Sequence, residues 1–148
     1  NFFTTCFYFK YFFFQSRSLT AVCSVRTRNS KSIQKDFFEK HNRNDDLIIY
    51  SCTSGYPVPF KDICIKEISR LKKLYEERVN SIGFSGHHLG IAIDLGAFML
   101  GAKWIERHFT LDRTFKGTDH IASLEPTGLR KLCRDLHATK QSLKYKKN

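Results

Sequence analysis

The chain has 148 residues, 25 Lys and Arg against 14 Asp and Glu, and 41% hydrophobic residues. It is long enough for one globular domain with a core, but a complete (β/α)8 barrel needs roughly 200 residues or more. The net charge of +11 suggests nucleic-acid binding, yet residues 47–138 carry 13 basic and 10 acidic side chains. Much of the excess lies in residues 1–46 and in the lysine-rich end, which is typical of a solvated terminus. We therefore expect no nucleic-acid partner.

The first 32 residues do not have the pattern of a folded domain. Residues 1–14, NFFTTCFYFKYFFF, are strongly aromatic, but Lys10 interrupts them and fourteen residues cannot cross a bilayer as a helix. Residues 15–32 are rich in Ser, Thr and Arg without a sustained period, which predicts a linker. We interpret residues 1–32 as an extension outside the folded part, residues 33–138 as the folded part and residues 139–148 as a basic tail. The chain starts with Asn, which suggests a fragment.

The cysteines indicate a compartment. There are five, an odd number, and none forms a CxxC pair. A disulfide framework or zinc knuckle is therefore not expected, and a reducing cytoplasm is the predicted location, with no membrane association.

Helix and strand patterns alternate after residue 32. The predicted strands are 47–52, which is buried, 81–85 and 103–110. The predicted helices are a short one at 33–38, one at 62–78 with Asp62 as its cap, one at 91–100 ended by Gly101, and one that starts at Glu125-Pro126. The last helix has a buried stripe of Leu129, Leu132, Cys133 and Leu136. This α/β order implies a parallel sheet, either a barrel segment or an open doubly wound sheet. In both, ligands gather where the strands end, so chemistry is expected in the loops after Cys52, Ser85 and His108.

Two histidines follow neighbouring predicted strands. His87 and His88 are adjacent, and because successive side chains of an extended chain alternate, only one of them is expected to face the site. If His87 and His108 lie at the same rim, two imidazoles converge and leave coordination positions open, as in a catalytic divalent-metal site. The alternative is two separately hydrogen-bonded histidines. Hydroxyls in the loop after the first strand, including Ser54, suit a phosphate or sugar as well as a simple turn.

Four segments taken together carry a family resemblance. CTSGYPVPF (52–60), IGFSGHHLGI (82–91), LGAKWIERHFTLDR (100–113) and KGTDHIASLEP (116–126) resemble the sialic acid synthase family, of the N-acetylneuraminate and legionaminate synthase type. The resemblance implies a partial (β/α)8 TIM barrel comprising about the last three βα units. It also implies condensation of phosphoenolpyruvate with the open-chain aldehyde of an N-acetylhexosamine, such as N-acetylmannosamine, to a nine-carbon 2-keto sugar acid with release of phosphate.

The same resemblance assigns site residues. It implies that His87 and His108 are catalytic and hold Mn²⁺ or Mg²⁺, and that Ser85 contacts the phosphate of phosphoenolpyruvate. Ser54 matches a position that also approaches phosphoenolpyruvate, Tyr56 matches a tyrosine lining the sugar site, and Asp119 matches a carboxylate that binds sugar hydroxyls. Many members have Asp where this chain has Gly86, which removes a possible orienting group for the metal ligand.

Parts of the family pattern have no counterpart in this sequence. The early-strand lysines and glutamates that bind both substrates are missing, and so is the C-terminal antifreeze-like domain. We therefore expect a fragment that is inactive alone, although the full-length family is expected to be homodimeric. Two alternatives are a noncatalytic basic interaction module on a barrel-like scaffold and another metal-dependent phosphoenolpyruvate condensing enzyme, such as a deoxy-heptulosonate phosphate synthase.

Overall fold

The computed structural model describes residues 21–25, 40 and 47–146, which form a parallel sheet flanked by helices. The strands are β1 (Ala21–Val25), β2 (Leu47–Cys52), β3 (Ser81–Gly86) and β4 (Trp104–Arg107). The α-helices are α1 (Glu67–Tyr75), α2 (Ala92–Met99) and α3 (Pro126–Ser142). Short 3-10 turns cover Phe60–Asp62, Glu76–Arg78 and His120–Ala122. The predicted α/β alternation is confirmed.

The four described strands follow one another across the sheet in chain order, β1-β2-β3-β4, and every neighbouring pair is parallel. In the register, Cys52 of β2 lies beside Ser85 of β3, and Ser85 lies beside Glu106 of β4. The carboxyl ends of all these strands therefore open at one edge of the sheet. This edge is where the sequence predicts ligand chemistry.

Strand β1 lies in the segment that the sequence predicts as a linker, and for residues 21–25 that prediction is wrong. Ala21–Val25 pairs in parallel with residues 47–51 of β2. Five residues are too few for a periodic signal, and a neighbouring strand supplies hydrogen bonds that no local pattern reveals. The aromatic residues 1–14 and the helix expected at 33–38 lie outside the described residues. The division of the chain at residues 32 and 138 stays a prediction, although α3 continues to Ser142.

The core lies between the sheet and its helices. No residue of β2 or β3 is exposed, as expected for apolar strands covered on both faces. Helix α1 packs against β2 and β3 through Ile68 and Leu71, which are 0% and 2% exposed. Helix α2 packs against β3, β4 and α3, and α3 contributes Leu132 and Leu136 to the same core. Within the described part of the chain, no helix is long and apolar enough to span a membrane.

Helix α1 begins later than the sequence predicts. Residues 60–62 form a separate 3-10 turn, and Lys66 rather than Asp62 occupies the position before the helix, without a side-chain cap. Cys64 between them has φ +51°, a left-handed conformation through which a right-handed helix cannot continue. The prediction of Asp62 as a cap is therefore wrong.

Two other helix ends match their sequence signals. Gly101 follows α2 with φ +101°, its amide donates to the Phe98 carbonyl, and the Ala102 amide donates to the Ala97 carbonyl. This pair of bonds is a Schellman motif, which uses the glycine as predicted. Pro126 occupies the first turn of α3, also as predicted.

Candidate metal and substrate site

The loops after β2, β3 and β4 meet around two histidines. The ring centroids of His87 and His108 are 5.1 Å apart with their planes at 66°. Tyr56, in the loop after β2, contacts both rings, with centroid distances of 4.6 Å to His87 and 5.4 Å to His108. Three successive strand ends therefore bring one aromatic and two imidazole side chains together, as the parallel order requires.

A backbone carbonyl orients His87. Its Nδ1 lies 2.9 Å from the Thr53 carbonyl oxygen, which can only accept a hydrogen bond, so Nδ1 carries the hydrogen and Nε2 keeps a lone pair. Burial lowers the pKa of His87 below its ordinary 6.5, and the nearby His108 acts in the same direction, against the opposing effect of the Thr53 bond. A neutral imidazole with a free Nε2 is the form that a metal ion binds.

Ser85 connects His87 to the carboxylate of Glu106, which is not among the site residues predicted from the sequence. The Ser85 hydroxyl donates to Glu106 Oε1 at 2.9 Å and lies 3.4 Å from His87 Nε2. Residues 85 and 106 are register partners. His87 directly follows the end of β3 and His108 the end of β4, so alternation places residues 85 and 87, and likewise 106 and 108, on the same side. That alternation is the signal in the sequence for Glu106, whose carboxylate lies near His87.

Asp119 lies beside His108. Its Oδ2 is 3.8 Å from His108 Nδ1, and its Oδ1 accepts a hydrogen bond from the Thr118 hydroxyl at 3.0 Å. Ser54, by contrast, is exposed, and its hydroxyl makes no hydrogen bond to any other residue in the described part of the chain. Five of the six side chains singled out from the sequence lie together: His87, His108, Tyr56, Ser85 and Asp119. Ser54 lies in the same loop as Tyr56, two residues before it.

His88 points away from the site, which confirms that only one of the adjacent histidines faces it. His88 is 0% exposed and lies beside Arg107 and Asp94. A Cβ on Gly86 would be 2.9 Å from His88 Cε1 and 3.1 Å from Arg107 Cδ. A side chain at position 86 would therefore enter this buried packing instead of reaching His87, whose orientation the Thr53 carbonyl already sets.

The donor set fits a catalytic ion better than a structural one. Among residues 21–25, 40 and 47–146, no group of three or more His, Cys, Asp or Glu side chains is arranged to hold a metal ion. Two imidazole nitrogens alone leave most coordination positions for water or substrate oxygens, whereas structural zinc sites close with four protein ligands. His87 and His108 are thus the residues that could hold Mn²⁺ or Mg²⁺.

The fold and this site define an α/β protein with two neighbouring histidines at the carboxyl edge of a parallel sheet. Comparison with known proteins identifies it further. Residues 17–148 match the NeuB family, and the chain belongs to that family. The match begins inside the segment interpreted from the sequence as an extension.

Named relatives agree with the resemblance to sialic acid synthases. N-acetylneuraminate-9-phosphate synthase of Homo sapiens is 45% identical over 100 residues, which cover 68% of this chain and 27% of the relative. N,N'-diacetyllegionaminic acid synthase of Campylobacter jejuni is 38% identical over 101 residues, covering 68% of this chain and 29% of the relative. The chain therefore spans less than a third of the length of these relatives.

Solved structures give the same result. The N-acetylneuraminic acid (sialic acid) synthetase of Leptospira borgpetersenii superimposes with a TM-score of 0.71 at 32% identity, covering 85% of this chain and 43% of that one. The spore coat polysaccharide biosynthesis protein spsE of Bacillus subtilis superimposes with a TM-score of 0.70 at 28% identity, covering 82% and 34%.

Proposed function

We propose that this chain is the metal-binding portion of a synthase that condenses phosphoenolpyruvate with the open-chain aldehyde of an N-acetylhexosamine, N-acetylmannosamine or a similar sugar. One water is consumed, and the products are phosphate and a nine-carbon 2-keto sugar acid. The observation that carries the proposal is the convergence of His87 and His108 at the carboxyl edge, with Tyr56 against both rings. NeuB membership favours this reaction over other phosphoenolpyruvate condensations and over a noncatalytic basic module.

The proposed architecture is an arc of a (β/α)8 barrel. Consecutive strands of such a barrel are neighbours and parallel, and the order β1-β2-β3-β4 has this property. A doubly wound sheet reverses its strand order at a switch point, and the four described strands contain no reversal. With β1 included, the arc contains one strand more than the three units expected from the sequence.

Each site residue has a chemical task in this reaction. His87 and His108 would hold Mn²⁺ or Mg²⁺, which when bound supplies Lewis-acid polarisation of the aldehyde oxygen. The Thr53 carbonyl keeps the proton of His87 on Nδ1, so that Nε2 stays a ligand. Tyr56, which contacts both imidazoles, would line the sugar site.

The substrates would be held by polar side chains of the same loops. Asp119 accepts hydrogen bonds from sugar hydroxyls and so keeps the polyol in register, a positioning role. The Ser85 hydroxyl, now donating to Glu106, would turn to donate to the phosphate of phosphoenolpyruvate. Ser54, exposed in the same loop as Tyr56, would be available to the same substrate.

Further contributions are proposed to come from the rest of a full-length family member. The family's substrate-binding lysines and glutamates belong to early strands, and we expect a homodimer in the cytoplasm for such a protein. The 148-residue chain is expected to be inactive alone.

Mn²⁺ binding tests the metal site directly. Titration of the chain with Mn²⁺, followed by the loss of the free-ion electron paramagnetic resonance signal, should show one site. His87→Ala and His108→Ala should each weaken it by about tenfold or more, because each removes one of two protein ligands. His137→Ala, at an exposed position of α3, is the matched control and should bind like the wild type. Absence of binding by the wild type, or unchanged binding by either site variant, would contradict the proposal.

Phosphate release tests the reaction. The chain incubated with phosphoenolpyruvate, N-acetylmannosamine and Mn²⁺ should release no phosphate above background, and robust turnover would refute its expected incompleteness. Alanine at the two corresponding histidines of a full-length close relative should nearly abolish Mn²⁺-dependent activity. A histidine whose replacement leaves that activity unchanged does not belong to the site.

A further inference from the structure

A buried arginine lies in β4, directly before His108. Arg107 of β4 is 4% exposed, and Asp94 and His88 beside it are both 0% exposed. Its Nη1 donates to Asp94 Oδ2 at 2.5 Å and to the Gly90 carbonyl at 2.8 Å. Its Nη2 donates to the His88 carbonyl at 2.7 Å and to the Ala122 carbonyl at 3.3 Å. Its Nη1 also lies 3.2 Å from His88 Nε2, so one guanidinium contacts four oxygen acceptors and one imidazole nitrogen.

The carbonyl acceptors lie in two segments that each carry or adjoin a site residue, and Arg107 itself lies in a third. The His88 carbonyl follows His87 directly, in the loop after β3. Arg107 itself precedes His108. Ala122 ends the 3-10 turn that follows Asp119. The guanidinium therefore ties together the backbone beside His87, His108 and Asp119, while its own side chain points away from them.

Stability alone is a poor explanation for this arrangement. Burying an ion pair carries a large desolvation cost, and well-packed apolar residues often serve as well or better. Three atoms of the group, His88 Nδ1, Asp94 Oδ1 and Arg107 Nε, are buried without a hydrogen-bond partner. The bonds that are made run mainly to backbone carbonyls of the rim, where a rigid planar fork fixes geometry better than an apolar side chain can.

The glycine at position 86 gives this group its space. A Cβ there would approach both His88 and Arg107 more closely than ordinary side-chain contacts allow. The buried position of Arg107 therefore depends on the absence of a side chain at position 86.

We propose that Arg107, held by Asp94, is a positioning residue that sets the separation of His87 and His108 for a divalent cation. This inference rests on the proposed function, because it takes the two histidines as the metal ligands. Arg107 contacts neither ligand ring. It acts through the backbone of the two loops and of β4.

The test is Mn²⁺ affinity of the full chain carrying Arg107→Lys. Lysine keeps a positive charge beside Asp94 but cannot donate to four acceptors in a plane. We expect an unchanged circular dichroism spectrum, a dissociation constant raised by about tenfold or more, and an altered spectrum of the bound Mn²⁺. The matched control is Arg113→Lys, since Arg113 forms an exposed pair with Glu125 at 3.6 Å in the loop after β4, and it should bind like the wild type.

The outcomes separate this inference from the proposed function. Lack of Mn²⁺ binding by the wild type refutes both. A second outcome refutes only the role of Arg107. In it, the wild type binds Mn²⁺, His87→Ala and His108→Ala lose that binding, and folded Arg107→Lys binds Mn²⁺ within about twofold of the wild-type affinity.

If Arg107→Lys does not fold, hydrogen exchange of the metal-free wild type decides. The Ala122 and Ser123 amides, which donate to Asp119 and His120, should exchange about as slowly as those of β4, and exchange about a hundredfold faster would overturn the inference.

Discussion

The ion pair of Asp94 and Arg107 leads to a quantitative prediction about stability. Asp94→Asn keeps the volume of the side chain, so no cavity forms, but it removes the negative charge that lies 2.5 Å from Arg107 Nη1. Both side chains are almost completely buried, so water cannot replace the lost partner. Breaking a buried pair in this way typically costs about 3–5 kcal/mol of unfolding free energy.

The remaining contacts place the expected loss at the lower end of that range. Arg107 keeps the carbonyls of His88, Gly90 and Ala122 as acceptors, so its charge stays partly compensated. A loss of about 3 kcal/mol corresponds to a fall of roughly 6–12 °C in the melting temperature of a domain of about 150 residues. Since domains are stable by about 5–15 kcal/mol, the variant should still fold at low temperature.

Urea and thermal unfolding, followed by the fluorescence of Trp104, measure this loss. The control is Asp135→Asn, which removes the ion pair with Arg134 on the surface of α3 and should change the midpoint far less. A loss below about 1 kcal/mol for Asp94→Asn would refute the reasoning, because it would mean that the charge of Arg107 is compensated without the carboxylate.

Three further predictions concern the core, the site and a helix end. Leu71→Ala, at a position 2% exposed, should lower the unfolding free energy by about 2–5 kcal/mol. Leu74→Ala on the same helix, 49% exposed, should change it by no more than about 0.5 kcal/mol, and equal losses in urea unfolding would contradict the packing of the Leu71 face of α1 against the sheet. Burial lowers the pKa of His87, so the folded chain resists protonation of this imidazole in the absence of metal. The stability that the neutral His87 contributes should be fully present above pH 6.5, where the unfolded imidazole is neutral too, and should be lost as the pH falls through the folded pKa. Urea midpoints from about pH 7.5 to about pH 5 should therefore decrease less in His87→Gln, and identical pH profiles would contradict this. Gly101→Ala should lower the unfolding free energy by about 1–2 kcal/mol, because φ is +101° there and the new Cβ would lie 2.8 Å from Lys72 Cδ; an unchanged urea midpoint would show that the turn adapts.

The sequence by itself determined the features that depend on neighbouring residues. The apolar run at 47–52 predicted β2 to the residue, because a strand buried on both faces needs continuous apolar character. Gly101 and Pro126 marked a helix end and a helix start, since each acts through its own backbone geometry. The histidine pair and the family motifs were also readable, because residue type and order carry them.

Only the tertiary structure decided the features that join distant parts of the chain. Residues 21–25 form a strand because they pair with β2, which lies more than twenty residues further along the chain. A pattern read within those five residues cannot reveal that partner. The Thr53 carbonyl, 34 residues away in the chain, selects the hydrogen position of His87. Any residue could supply that carbonyl, so its role leaves no trace in residue type.

The same reason explains Glu106 and Arg107. The bond of Glu106 to Ser85 and the buried contacts of Arg107 follow from the register of β3 with β4 and from the placement of α2. Charged residues in a sequence are most often solvent-exposed, so their burial becomes visible only when strands and helices are packed.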